Sequence, residues 1–209
     1  MEFENLIYKE SNLEHNDSIS TYNGWAAQQN HNAFEIFYNF IRDVRPAQIL
    51  EVGTSNGGFT QFLMYACKRL GLNTHIISLD IHEKYWYTDL RDAGIDLRIK
   101  NVFINGYEDI EEEYKDFIQS DGTTIVLCDG GDKIREFNLL SKFLKSGDFI
   151  LGHDYAYNRE KFENDIYLKI WNWHELSESD ISDSCSENNL IDYDRQTFES
   201  VVWVCKRKV

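Results

Sequence analysis

Four polar side chains in the second half of the chain stand where chemistry is possible. Asp129 follows the apolar run TTIVLC, and Lys133 comes four residues later. His153 and Asp154, in GHDYA, follow the apolar run DFIL. Two carboxylates and an imidazole can ligate a divalent cation and leave positions for water or substrate. Mg²⁺ prefers oxygen, so His153 shifts the expectation toward Mn²⁺ or Fe²⁺. The competing reading makes His153–Asp154 a helix cap and a hydrogen-bonded support, with Asp129 orienting substrate without metal. Near a bound cation Lys133 would have a depressed pKa and could take a proton from a hydroxyl; the plain alternative is a solvated first-turn lysine.

A second group lies earlier, in EVGTSNGG at positions 51–58. Gly53 and Gly57 permit a tight turn and close backbone approach around Thr54 and Ser55. The loop has neither the GK[ST] of a phosphate loop nor G-x-G-x-x-G, which disfavours NAD and FAD. Glu51 would repel a pyrophosphate and suit a cationic amino-acid end. Asp80 closes HIISLD, 23 residues after Gly57, where a carboxylate can accept from the hydroxyls of a ribose. Together these suit a nucleoside with a positive, non-phosphate tail, a description that S-adenosylmethionine meets. The plain alternative is a strand–turn–helix in which glycine serves geometry alone. In INGYED, Tyr107 and Glu108 are candidates for the adenine edge, or else a turn with a surface aromatic.

These groups can meet only if strand ends bring them together. QILEV, HIISLD, DLRIKNVFI, TTIVLCD and DFILG read as strands. Amphipathic stretches at 31–44, 59–70, 83–93, 109–119, 133–145 and 159–171 read as helices between and after them. Apolar strands alternating with such helices predict an α/β, Rossmann-like, mostly parallel seven-stranded sheet with helices on both faces. WNWHEL and FESVVWVCKR are expected as an antiparallel C-terminal edge, and 177–197 as a long polar loop. In such sheets ligands bind beyond the carboxyl ends of the strands, which places all the candidates on one rim.

The 209 residues suit one domain with a sizeable core, read as an N-terminal extension or cap at 1–30 and a main domain at 31–209. The net charge of −15 argues against nucleic acid and anionic membranes as partners. No apolar run approaches ~20 residues, and the acidic start MEFENLIYKE is not a secretory n-region. Cys67, Cys128, Cys185 and Cys205 are scattered, and Cys128 and Cys205 sit in apolar runs. That usage suggests a reducing, cytoplasmic setting. Trp25, Trp86, Tyr155 and Tyr157 are candidates for an acceptor pocket. The Tyr22–Trp25 stretch could instead cover a sheet edge or support a homo-oligomer.

ILEVGTSNGGFT, ISLD, VLCDGG and ILGHD together resemble the class I S-adenosylmethionine-dependent methyltransferases. More narrowly, with GWAAQQNHNAFEIFYNFIRDV as lead-in, residues 22–155 resemble the cephalosporin-hydroxylase-like, macrocin-type and catechol-type metal-dependent O-methyltransferases. The resemblance implies that Glu51, Gly53 and the loop through Gly57 hold the methionine part, that Asp80 binds ribose, and that 106–108 lies near adenine. It also implies metal-binding acids at Asp129 and Asp154, with Mg²⁺ or Mn²⁺ as the candidate ion. His153 stands where those families usually have an acid. Their lysine position corresponds to Asp132 here, with Lys133 one step later. The implied activity is methyl transfer to a hydroxyl of a small molecule or sugar, with Asp129, Lys133 and His153 as candidate catalytic residues. The alternatives are a non-haem metal-dependent hydroxylase and a catalytically silent nucleoside-binding module.

Overall fold

The computed structural model of the chain describes residues 6–8 and 20–209. Most of the expected 1–30 extension and most of the acidic start MEFENLIYKE therefore lie outside the described residues. Three short strands, β1 (Leu6–Tyr8), β2 (Ser20–Tyr22) and β3 (Trp25–Ala26), form a small antiparallel sheet.

Helix α1 (Ala33–Val44) follows. Phe34, Phe37, Phe40 and Ile41 recur at helical spacing and are all buried. Their rings meet Phe59, Phe62, Phe198 and Trp203 largely edge to face, with centroids 4.8–5.7 Å apart in the closest pairs. Each such buried ring contributes roughly 2–3 kcal/mol of apolar burial, so this cluster anchors one face of the sheet.

The strands and helices then alternate: β4 (Gln48–Val52), α2 (Gly58–Arg69), β5 (His75–Asp80), α3 (Tyr87–Asp92) and β6 (Asp96–Ile99). A two-stranded hairpin, β7 (Phe103–Ile104) and β8 (Asp109–Ile110), precedes α4 (Glu112–Gln119). Then come β9 (Thr124–Cys128), α5 (Lys133–Leu140) and β10 (Phe149–Gly152). The last part holds the single turn α6 (Arg159–Lys161), α7 (Glu178–Glu187), β11 (Leu190–Asp192), α8 (Arg195–Glu199) and β12 (Val204–Lys208).

The main sheet has seven strands in the order β11-β12-β10-β9-β4-β5-β6. Five adjacent strands, β10-β9-β4-β5-β6, pair in parallel and β12 runs antiparallel to β10, as the alternation of elements predicts. The chain moves outward from β4 through β5 to β6, then returns to place β9 on the other side of β4. That reversal opens a crevice at the carboxyl ends of β4 and β9. The register is level there, with Val52 opposite both Leu79 and Cys128, and Cys128 opposite Gly152. The residues just past each strand therefore share one rim.

Two expectations fail. WNWHEL is not a strand; among the described residues its β-type pairing is limited to the isolated bridges Tyr155–Leu176 and Tyr167–Trp171. It runs as an irregular strap because Glu175 and Leu176 both donate backbone hydrogen bonds to the Asp154 carbonyl, which folds the strap onto the site rather than onto a sheet edge. Residues 177–197 are not a structureless loop but carry α7, β11 and part of α8. A reciprocal cap between Ser177 and Asp180 starts α7, while Ile181 and Cys185, one turn apart, bury its inner face. The helix expected over 133–145 is α5 followed by a 3-10 turn at Ser141–Phe143, and that over 159–171 ends at Ile166 after a π turn.

Candidate functional site

The crevice holds a cavity of about 710 Å³ that reaches from the loop after β4 to the ends of β9 and β10. Gly53 has φ +99°, and a Cβ there would lie 2.1 Å from the carbonyl oxygen of Asp129. Only glycine allows the two loops this approach. Gly57, at φ +81°, turns the chain into α2. Ser55 N donates to Asp80 Oδ2 at 2.9 Å, and His82 N donates to Oδ1 at 3.0 Å. The Tyr87 hydroxyl lies 2.7 Å from both Asp80 Oδ2 and the Ser55 carbonyl. Burial, reinforced by Asp80, raises the Tyr87 pKa, so the phenol stays a donor. The loop is thus tied to Asp80 and α3.

Glu51 lies at the base of this half. Its carboxyl receives hydroxyl hydrogen bonds from Thr60 at 2.6 Å and Ser78 at 2.5 Å. Burial pushes its pKa up to about 7 against these two bonds. A cation arriving beside it would favour the charged form.

The predicted adenine side is displaced. The turn at 106–108 belongs to the β7–β8 hairpin rather than to the end of β6. Asn101 breaks the strand, its side chain accepting from Phe103 N at 3.0 Å. Tyr107 still lines the cavity, with the Arg135 guanidinium 5.1 Å above its ring, but Glu108 is exposed and outside it. Asn101, Val102 and Phe103 take the wall position instead.

At the other end, β9 and β10 bring Asp129, His153 and Asp154 together, with one ligand-type atom from each within 4.8 Å of the others. His153 Nδ1 is 2.9 Å from Asp129 Oδ1. The imidazole stacks on Trp203 at 4.7 Å, and its Nε2 is buried without a partner. Burial alone would lower the His153 pKa, but Asp129 and Asp154 outweigh it and raise it. Asp154, itself in the left-handed region at φ 57°, accepts from Trp171 Nε1 at 2.6 Å and faces Lys133 Nζ at 3.0 Å.

Lys133 does not behave as the base expected of it. Burial lowers its pKa, yet Asp129, Asp154 and Glu175 win and raise it. Its Nζ also reaches the Gly130 carbonyl and Glu175 Oε2, both at 3.0 Å, so all three N–H groups are engaged. The remaining oxygen of the cluster, Asp129 Oδ2, accepts from Gln29 Nε2 at 2.9 Å. The spacing of the trio suits an ion, but the donor set does not: every carboxylate oxygen already has a protein donor, and one of those donors is an ammonium.

Several contributors carried no sequence signal. Gln29 bridges Asp129 and Trp203 Nε1, and neighbouring Gln28 receives a hydrogen bond from the Ser55 hydroxyl. Glu175 accepts from both the backbone N and the Nζ of Lys133. Glu136 holds the loop after β9 through Gly130 N and Asp132 N, and burial pushes its pKa up to about 7. The aromatic wall also differs from expectation. Trp171 and Trp173 line the cavity, whereas Trp25 and Trp86 pack on each other and Tyr155 and Tyr157 line a separate small pocket.

Among the described residues no helix is long and apolar enough to cross a membrane. No curated protein sequence matches the chain. Among solved structures, the apo form of CmcI aligns with a TM-score of 0.63 at 14% identity, over 92% of this chain and 77% of that one. CmcI with Mg and SAM aligns equally well at 16% identity, over 92% and 78%. Geranyl diphosphate C-methyltransferase from Streptomyces coelicolor A3(2) gives 0.50 at 12%, over 86% and 80%. At these identities the structural alignments show a shared fold and nothing further. Residues 50–155, just over half of the chain, match the family model described as a methyltransferase domain. They span the glycine loop, Asp80, Asp129 and Asp154, and the chain belongs to that methyltransferase-domain family.

Proposed function

We propose that the protein transfers a methyl group from S-adenosylmethionine to a hydroxyl of a small molecule or sugar. The observation that carries this reading is the single cavity joining the Gly53–Asp80 half to the Asp129–Asp154 half. Glu51, Gly53, Thr54, Ser55 and Gly57 would hold the methionine part, Asp80 the ribose, and Val102 and Phe103 with Tyr107 the adenine. Bound there, S-adenosylmethionine supplies an electrophilic methyl on a sulfonium.

We assign Asp129 to take the acceptor's proton, on a lone pair that its hydrogen bonds with His153 and Gln29 leave free. Its side chain is 20% exposed while those of His153 and Asp154 are 3% and 8% exposed. As the O–C bond forms and the C–S bond breaks, the hydroxyl proton passes to Asp129. His153 and Gln29 fix that carboxylate, while Lys133 is a positioning residue. Alignment of oxygen, methyl carbon and sulfur supplies much of the rate. We also take residues 1–30 as an N-terminal extension or cap to a 31–209 domain, and cavity lining by Ala27 and Gln28 supports the cap.

The test is incubation with S-adenosylmethionine and a panel of hydroxylated acceptors, read by mass spectrometry. One methylene gained per turnover, with S-adenosylhomocysteine formed, supports the reading. A gain of one oxygen would favour a hydroxylase, and cofactor binding with no turnover across the panel would favour a silent module.

A further inference from the structure

We propose that Lys133 is the resident cation of the acceptor half, and that this site works without a divalent metal. The inference rests on the methyl-transfer reading of the same cavity. Its basis is the occupancy of the cluster's oxygens. Asp154 Oδ2 faces Lys133 Nζ at 3.0 Å, and Asp154 Oδ1 takes the Trp171 indole N–H at 2.6 Å. Asp129 uses one oxygen on His153 and the other on Gln29, each at 2.9 Å.

None of these donors can turn away cheaply. Gln29 is held from behind, its Oε1 accepting from Trp203 Nε1 at 2.8 Å, so rotating the amide orphans a buried indole N–H as well. The Trp171 indole can only donate. The Lys133 side chain is 8% exposed and gripped on three sides by Asp154, Glu175 and the Gly130 carbonyl. A divalent ion on Asp154 would meet that ammonium as a like charge in a water-poor place. His153 offers no compensation, because its Nδ1 is on Asp129 and its Nε2 is buried.

The test is titration of the EDTA-dialysed protein with MnCl₂, following free Mn²⁺ by electron paramagnetic resonance, with and without S-adenosylhomocysteine. The parent protein is expected to show no saturable binding up to about 1 mM. Lys133→Met, which keeps most of the stem and removes the charge, frees Asp154 Oδ2 and is expected to bind Mn²⁺ more tightly than the parent, a gain that a second change, Asp154→Asn, removes. One-site binding in the parent that Asp129→Asn abolishes would overturn the proposal, as would a folded Lys133→Met variant that binds no more Mn²⁺ than the parent. If Lys133→Met does not fold, as judged by circular dichroism, the parent titration decides alone. Calorimetry with S-adenosylhomocysteine on the same samples separates the two ideas. Failure of the parent to bind it counts against methyl transfer, whereas Mn²⁺ binding counts only against a metal-free site.

Discussion

Around Gly53 and Asp80 the cavity wall is a backbone turn hung on one carboxylate, and its parts lie close in sequence, between Gly53 and Tyr87. Around Asp129 and Asp154 it is a lattice of charged and aromatic side chains drawn from β9, α5, β10, the strap at 167–176 and the segment before α1. The first half depends on geometry that only glycine permits, the second on mutual neutralisation of buried charges. The halves should therefore fail in different ways.

The largest expected effect tests the glycine geometry. Gly53→Ala places a methyl 2.1 Å from the Asp129 carbonyl oxygen at a positive φ, so unfolding free energy should fall by about 4 kcal/mol and S-adenosylhomocysteine binding should vanish. Urea denaturation with near-native stability would show that the turn tolerates a side chain.

Next comes the charge lattice. Asp154→Ala leaves the Lys133 ammonium and the Trp171 N–H short of a buried partner, which should cost about 3 kcal/mol. Where the variant is folded, its affinity for S-adenosylhomocysteine should stay within about threefold of the parent, since a remote site adds little coupling. Loss of affinity as large as the loss of stability would erase the distinction between the halves.

The smallest effect concerns Glu51. Its folded pKa, about 7, lies above the ordinary glutamate value of 4.5, so between these values the native state binds more protons than the unfolded state. Its stabilising contribution is therefore fully present below the unfolded value and is lost as pH rises through the folded one. Between pH 6 and pH 8 the loss is about 1 kcal/mol. Glu136 shifts in the same direction, so the diagnostic is the difference between parent and Glu51→Gln. The variant's melting temperature should fall less from pH 6 to pH 8. Parallel profiles would remove Glu51 as a titrating group in that window.

The same contrast explains what was legible in the sequence. The cofactor half is written contiguously, as a glycine turn after one apolar run and an acid after the next, so EVGTSNGG and Asp80 stand out. Asp129, His153 and Asp154 follow apolar runs too, and level strand register brings them together. Their partners do not show. Gln29 reaches Asp129 across 100 positions and Glu175 reaches Lys133 across 42, and a single sequence holds no sign of either contact. This is why Lys133 suggested a base: alone it is a lysine near a presumed cation, but with Glu175 and Asp154 on its Nζ it is a held ammonium. The two inward residues of WNWHEL, Trp171 and Leu176, are five apart, a spacing that a strand would put on opposite faces, and tertiary hydrogen bonds to Asp154 bend the stretch into a strap. The helix α7 did leave a signal, the Ser177-to-Asp180 capping box, which the polar composition of the stretch obscured. Glu108 was misplaced because Asn101 ends β6 early, which no periodicity reveals.

The most direct measurement compares calorimetric binding of S-adenosylhomocysteine by the parent, Asp80→Ala and Asp129→Asn. Asp80 carries three donors, from the glycine loop, from His82 just past β5 and from α3, and faces the cavity. Removing it should cost roughly 2 kcal/mol, or about thirtyfold in affinity. Asp129→Asn should leave affinity within about twofold, because that carboxylate serves the acceptor. Equal affinities in all three proteins, or a larger loss at Asp129 than at Asp80, would contradict the placement of donor and acceptor in this cavity.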